Sequence, residues 1–177
     1  MKRWARRLLR VALTVAALFA LFEIVGPEHV WSLFGPADLG AVDFKTLQRR
    51  TTPNDALACQ PAICEAKADV TSPLFYGSAR DLRRDFAEAI AEEPRLVQIS
   101  SDDATLTDRY VQRSWLMRYP DTIVVQFFDV SDHRSTIALY SRSQLGKGDL
   151  GVNLARINRW LTALIQKAKV ATLASTP

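Results

Sequence analysis

The residues best placed to do chemistry in this chain lie between Ser141 and Arg159, SRSQLGKGDLGVNLARINR, where a strand, a glycine-rich turn and an amphipathic helix are expected to meet. Gly146-Lys147-Gly148-Asp149-Leu150-Gly151 has the G-x-G-x-x-G spacing of a dinucleotide loop. That fingerprint needs a parallel strand after the helix and an acidic residue some 20 positions on, yet no Asp or Glu occurs after Asp149. Asp149 would also put a negative charge at the helix N-terminus, where a phosphate should sit. Its expected role is that of a cap, its carboxylate accepting amides near Gly151 and Val152 and complementing the helix dipole.

A second constellation is cationic. Arg113, Arg118, Arg142 and Lys147 fall on neighbouring strands or on the glycine turn, and Asn153 and Arg156 fall in the first helical turns. Arg113, Arg142, Asp149, Asn153 and Arg156 therefore form a candidate binding pocket for an anionic or lipid ligand. The competing account pairs the arginines structurally with Asp121, Asp129 and Asp149. An enzyme would recruit Ser141 or Ser143 as nucleophile, His133 as base and Asp121 or Asp132 to orient it, but no nucleophile-elbow pattern surrounds the serines. No catalytic residue is assigned and no cofactor is expected. Tyr110, Trp115, Tyr119, Phe127, Phe128 and Tyr140 could line a lipid pocket, although aromatic residues at strand period more often form core.

Cys59 and Cys64, with four residues including Pro61 between them, read as a local disulfide. A redox pair would normally be C-x-x-C. A metal site needs partners that two histidines, His29 and His133, do not supply, so none is expected.

The formal charge of +4 invites a nucleic-acid reading, but Lys2, Arg3, Arg6, Arg7 and Arg10 supply five of the 23 basic residues. The other 18 face 19 acidic residues, a net of −1, so nucleic acid is not an expected partner. Val11 to Phe22, VALTVAALFALF, follows the basic cluster without a charge or a helix breaker. The pattern is that of a membrane-targeting segment, extending as a helix from Leu8 to Val25, stopped by Gly26-Pro27, with Trp31 as an interfacial anchor. The expectation is a single pass through an inner membrane, N-terminus in the cytoplasm and domain in the periplasm; the alternative is secretion after cleavage of the segment.

At 177 residues, 48% of them apolar, the chain has material for one core and an accessory segment. The expected layout is a basic tip and anchor over 1–27, an extended wrapping segment with the cysteine pair over 28–77, an α+β core over 78–169 and a flexible tail over 170–177. Ser78 and Asp81 start a helix in the manner of a capping box, with Leu82, Phe86, Ala89 and Ile90 on one face and Pro94 closing it. Period-two stretches then give four strands, near 95–100, 107–118, 123–128 and 135–142, joined by short turns that demand antiparallel pairing. A last helix from Gly151 to Lys169 should bury Leu154, Ile157, Leu161, Leu164, Ile165 and Ala168 and turn Arg156 and Arg159 outward. The fold class is α+β, both helices on one face of a sheet of about four antiparallel strands.

Ser143-Gln144-Leu145-Gly146, Asp149-Leu150-Gly151-Val152-Asn153 and Arg156-Ile157, preceded by Tyr110-Val111-Gln112-Arg113-Ser114 and Tyr119-Pro120-Asp121, form a combination that resembles domain of unknown function 1499. The resemblance runs from about Phe34 to Leu164 and takes in Pro53-Asn54-Asp55 and the cysteines; Gln144 departs from the Arg common in relatives. It implies an extracytoplasmic or membrane-associated domain and brings no established reaction. Together these readings favour a non-catalytic binding or assembly module, contacting the membrane through its N-terminal helix and an envelope protein or an anionic or lipid ligand through its domain. The alternative is an enzyme acting on an envelope component through the Arg/Asp/Asn pocket around the Gly146–Asn153 turn.

Overall fold

The computed structural model describes residues 2–168 and 170. The chain order is α1 (Lys2–Val25), α2 (Pro27–Ser32), β1 (Asp55–Ala58), β2 (Phe75–Tyr76), α3 (Ala79–Ala89), β3 (Leu96–Asp102), β4 (Thr107–Arg113), β5 (Pro120–Ser131), β6 (Arg134–Ser143) and α4 (Val152–Lys167). The class is α+β, and the sheet has six strands, not about four. Its order is β1-β6-β5-β4-β3, all antiparallel, with β2 also on β6.

The two additional strands come from the stretch expected to be extended wrapping. β1 pairs Asp55–Ala58 with Arg142–Leu139, and β2 pairs Phe75 and Tyr76 with Ser135 and Arg134, so together they line the outer side of β6. Both escape a periodicity search for a physical reason. β2 is two residues long, and β1 is buried on both faces, so DALA carries no apolar–polar alternation. The 170–177 tail falls outside the described residues except for Val170, which bridges to Phe75.

Each sheet face has its own cover. On one side α3 and α4 bring Leu82, Phe86, Ile90, Ile157, Trp160, Leu161 and Leu164 onto Ile123, Val125, Phe127, Ile137 and Leu139. Phe86 packs edge-on against Phe127 and Trp160, with ring centroids 5.6 and 5.9 Å apart, a favoured aromatic geometry. On the other side irregular chain places Val42, Phe44, Leu47, Ile63 and the Cys59–Cys64 disulfide over Leu57, Val124, Ala138 and Tyr140.

α3 starts as its sequence suggests, the Ser78 hydroxyl accepting the Asp81 amide at 3.1 Å. It ends at Ala89, ahead of Pro94, because Ile90 leaves helical geometry at φ −105°, ψ 4°. In α4 the phase differs from the expected stripe: Leu154 and Ile165 are exposed, whereas Asn153, Arg156 and Trp160 are buried. The buried face is displaced by about one residue, because it contains a guanidinium and an amide that an apolar count assigns to solvent.

Candidate functional site

β-pairing sets Gln112 opposite Asp121, and Asp121 opposite Ser143. Residues directly opposite share a face, so the three form a polar row across β4, β5 and β6 under the first turns of α4. Ser141, two residues before Ser143, points the same way.

Arg156 descends from α4 onto this row with only 4% of its surface exposed. Its Nε donates to Gln112 Oε1 at 2.5 Å, Nη1 to Ser141 Oγ at 2.7 Å and Asn153 Oδ1 at 2.8 Å, and Nη2 to Asp121 Oδ2 at 2.6 Å. Asn153, fully buried, accepts from Ser141 Oγ at 2.6 Å and donates to Ser143 Oγ, to the Asn54 carbonyl and to Asp149 Oδ2. Asp149 in turn accepts the amides of Gly151 at 2.9 Å and Asn153 at 3.0 Å. Its carboxylate thus joins the helix start as an Asx-type cap, one residue beyond the Val152 amide expected from sequence. Asn54 closes the assembly, its Nδ2 donating to the Gly146 carbonyl at 2.7 Å, which ties the glycine turn to the start of β1.

The network continues outward. Gln112 Nε2 donates to Glu93 Oε2 at 3.0 Å, and Glu93 is held by Arg159 through two bonds of 2.8 and 2.9 Å. The Arg159 guanidinium, outweighing the effect of burial and aided by Gln112, pulls the Glu93 carboxyl down to a pKa of about 2.

Of the five residues expected to share a pocket, Asp149, Asn153 and Arg156 meet in one hydrogen-bonded network, Arg113 borders the same cleft as Arg156, and Arg142 lies on the other face. Arg142 lies one residue from Ser141 and therefore on the opposite face, where its Nη2 donates to the Leu39 and Gly40 carbonyls at 2.8 and 2.7 Å. It stacks over Tyr140 at 5.7 Å, and burial lowers its pKa. Arg113 pairs with Glu28, just beyond α1, at 3.1 Å. Asp129 receives the Ala79 amide at the start of α3 and does not pair with these arginines.

The opposite face carries a second cluster without counterpart in the sequence reading. Arg49 grips Asp55 through bonds of 3.0 and 2.9 Å, and Tyr140 donates its hydroxyl to the same carboxylate at 2.6 Å. Burial alone would raise the Asp55 pKa, but the bonds from Arg49 and Tyr140 outweigh it and hold the carboxyl below its ordinary range. Asp55 belongs to the Pro53-Asn54-Asp55 block, the one signal that could have marked it. Arg83 likewise holds Asp108 bidentately at 2.9 and 2.7 Å, linking α3 to β4. No alternation announces either pair.

Serine-hydrolase chemistry is not assembled in this arrangement. Ser141 is fully buried and bonded to Asn153 and Arg156, while His133 sits in the β5–β6 turn. Eight residues along β6 separate the two, roughly 26 Å at strand rise. Open space adjoins the network on two sides: a cleft of about 570 Å³ bounded by Glu93, Arg113, Trp115, Val152, Arg156 and Arg159, and an open hollow of about 830 Å³ beside Arg49, Asp55, Asp149 and Leu150. Among the described residues no group of three or more His, Cys, Asp or Glu side chains is placed to hold a metal ion.

These features define a class: a small α+β domain whose C-terminal helix is clamped to an antiparallel sheet by a buried Arg–Asp pair, joined at one end to a long apolar helix. Residues 47–164 match the family described as "Protein of unknown function (DUF1499)", and the chain belongs to that family. The matched region begins just before Arg49 and ends in α4, so it includes both buried clusters and leaves α1 and α2 outside. No curated protein matches the chain.

Proposed function

We propose that the chain is a membrane-anchored extracytoplasmic module that binds or assembles with an envelope partner and performs no catalysis at the Gly146–Asn153 turn. The observation that carries this reading is the inward commitment of Arg156, whose donors are engaged by Gln112, Ser141, Asn153 and Asp121 below the surface. A substrate recruiting that guanidinium would first have to break a buried ion pair, at a cost of about 3–5 kcal/mol. The anchor rests on α1, whose 23 residues Arg3–Val25 are long and apolar enough to cross a bilayer. Arg3, Arg6, Arg7 and Arg10 at its start favour a cytoplasmic N-terminus, and the Cys59–Cys64 disulfide suits an oxidising periplasm beyond an inner membrane.

Protease added to intact spheroplasts should digest the domain, and N-terminal sequencing of membrane-fraction protein should find the basic tip still attached. A mature start near Pro27 would replace the anchor with a secreted product. Purification from native membranes in mild detergent should retain a protein or lipid at fixed ratio. Loss of processing of an envelope component in Ser141→Ala or Asp149→Asn cells, at unchanged protein abundance, would instead establish the enzyme.

A further inference from the structure

The end of the domain that receives α1 differs in character from the rest of the surface. Trp31 of α2 packs on Phe22 of α1 at 5.8 Å and on Tyr119 of the β4–β5 loop at 4.5 Å, and its Nε1 donates to the Met117 carbonyl at 2.5 Å. Gln144 donates to the carbonyls of Gly35 and Pro36, which holds the glycine turn against the same junction. Around this point large apolar side chains stand in water: Leu33, Phe34, Trp115, Leu116, Leu150 and Val152. Leu33 is 82% exposed, Trp115 74%, and Leu150 is fully exposed.

Two further properties belong to this end. Among the described residues four non-glycines have positive φ, and three of them, Arg95, Arg118 and Leu150, lie here. Leu150, at φ 54°, is held in a conformation disfavoured for its type with an apolar side chain directed wholly outward. Unpaired cations stand here as well. Glu28 is paired with Arg113 and Asp149 with the α4 amides, whereas Arg118 and Lys147 have no carboxylate partner among the described residues. The opposite end of the sheet presents Asp102, Asp132 and His133 with Arg134 beside them, and its Asp103 is paired with Arg83.

The geometry points to this end as a face that lies on the bilayer beside its own anchor, inserting Leu33, Phe34, Trp115, Leu116 and Leu150 among the lipids at interfacial depth. Continuity selects the occupant. The patch surrounds the point where α1 ends, so if α1 spans a membrane, headgroups already occupy the adjoining space; the inference rests on that reading of α1. Aromatic residues favour the interface, and unpaired Arg118 and Lys147 complement anionic headgroups. The domain is therefore docked on the membrane and not merely tethered to it, and the cleft bounded by Trp115, Val152 and Arg159 opens at headgroup level.

The test uses the full chain in vesicles of phosphatidylethanolamine and phosphatidylglycerol, the native disulfide intact, with one nitroxide at a time on Leu116→Cys, Leu150→Cys, His133→Cys or Val15→Cys. Collision with oxygen relative to a water-soluble nickel chelate is read at each site. The expected result is a ratio at 116 and 150 severalfold above that at 133, approaching that at 15. A high ratio at 15 with watery values at 116 and 150 overturns the docked face and leaves the anchor standing. Watery values at 15 remove the anchor itself. Immobilised labels at 116 and 150 that neither reagent reaches would mean a protein occupies the patch and would also overturn the proposal. Replacing phosphatidylglycerol with phosphatidylcholine should lower the ratio at 116; an unchanged ratio would strike Arg118 and Lys147 from it.

Discussion

The sheet carries a buried guanidinium–carboxylate cluster on each face, and the two are built differently. Under α4, Arg156 meets Asp121 across 35 positions of sequence, with side chains 5% and 8% exposed. On the other face Arg49 meets Asp55 six positions away, and Arg49 keeps 24% of its side chain in water. The first cluster joins one layer of the fold to the next, while the second folds an irregular segment back onto itself and onto Tyr140. Burial makes the first pair costly to break, and sequence separation spreads the consequence over the whole domain. Proximity keeps the second mostly within its own stretch, the Tyr140 hydroxyl of β6 apart.

The largest expected effect comes from Asp121→Ala, which strands Arg156 in the core and should lower unfolding free energy by about 3–5 kcal/mol in urea titration. Arg156→Met combined with Asp121→Leu should recover most of the loss; failure to recover would mean that the surrounding hydrogen bonds, not the pair, hold α4. Asp55→Ala should cost about 2–3 kcal/mol. Native-state hydrogen exchange should quicken over residues 42–70 while α4 amides keep their protection, and uniform acceleration would erase the distinction between the faces. Removing the disulfide with Cys59→Ser and Cys64→Ser should cost about 2 kcal/mol, since the closed loop is short, and again loosen only the irregular cover.

The smallest effect is the pH dependence that Glu93 adds on the helix side, beside the one that Asp55 adds on the other face. The Glu93 carboxyl is depressed to about 2 by Arg159, so its contribution is present above the ordinary glutamate range and disappears as pH falls from about 5 towards 2. Glu93→Gln should flatten that part of the stability–pH curve and leave the plateau near pH 7 slightly lower. An unchanged acid limb would take Glu93 out of the network's energetics.

Local signals in the sequence were strong where local physics decided the structure. The Ser78–Asp81 cap, the turn at Ser131–Arg134 and the Cys59–Cys64 pair are contacts within a few residues, and each is found. The expected strand over 107–118 ends instead at Arg113, and the chain turns over 114–119, so that Pro120 already pairs with Arg113 as the first residue of β5. β1 and β2 were invisible because they are short and owe their existence to an exposed edge of β6, a partner many residues away. The phase of α4 was hidden by Asn153 and Arg156, polar side chains that belong to the buried face. For the candidate site, strand alternation already separates Arg142 from Ser141; what it cannot say is which face the helices cover. Arg49, Asp55 and Tyr140 lie in segments whose meeting depends on the path of irregular chain over the sheet, and propensity does not encode that path.

A single residue, Gly26, stands between α1 and α2. It adopts φ 88°, and any side chain there would bring its Cβ to 3.1 Å from the His29 ring. With α1 in a bilayer, a joint this short leaves the domain no reach. It samples none of the volume that a flexible linker would sweep, so the concentration it presents to others depends on its density in the membrane and not on linker length. β5, twelve residues long, sets a span of roughly 40 Å between the end that receives α1 and the turn bearing His133. A companion in the same membrane would encounter the protein by lateral diffusion at one height; a companion from solution would have to come down to that height to find it.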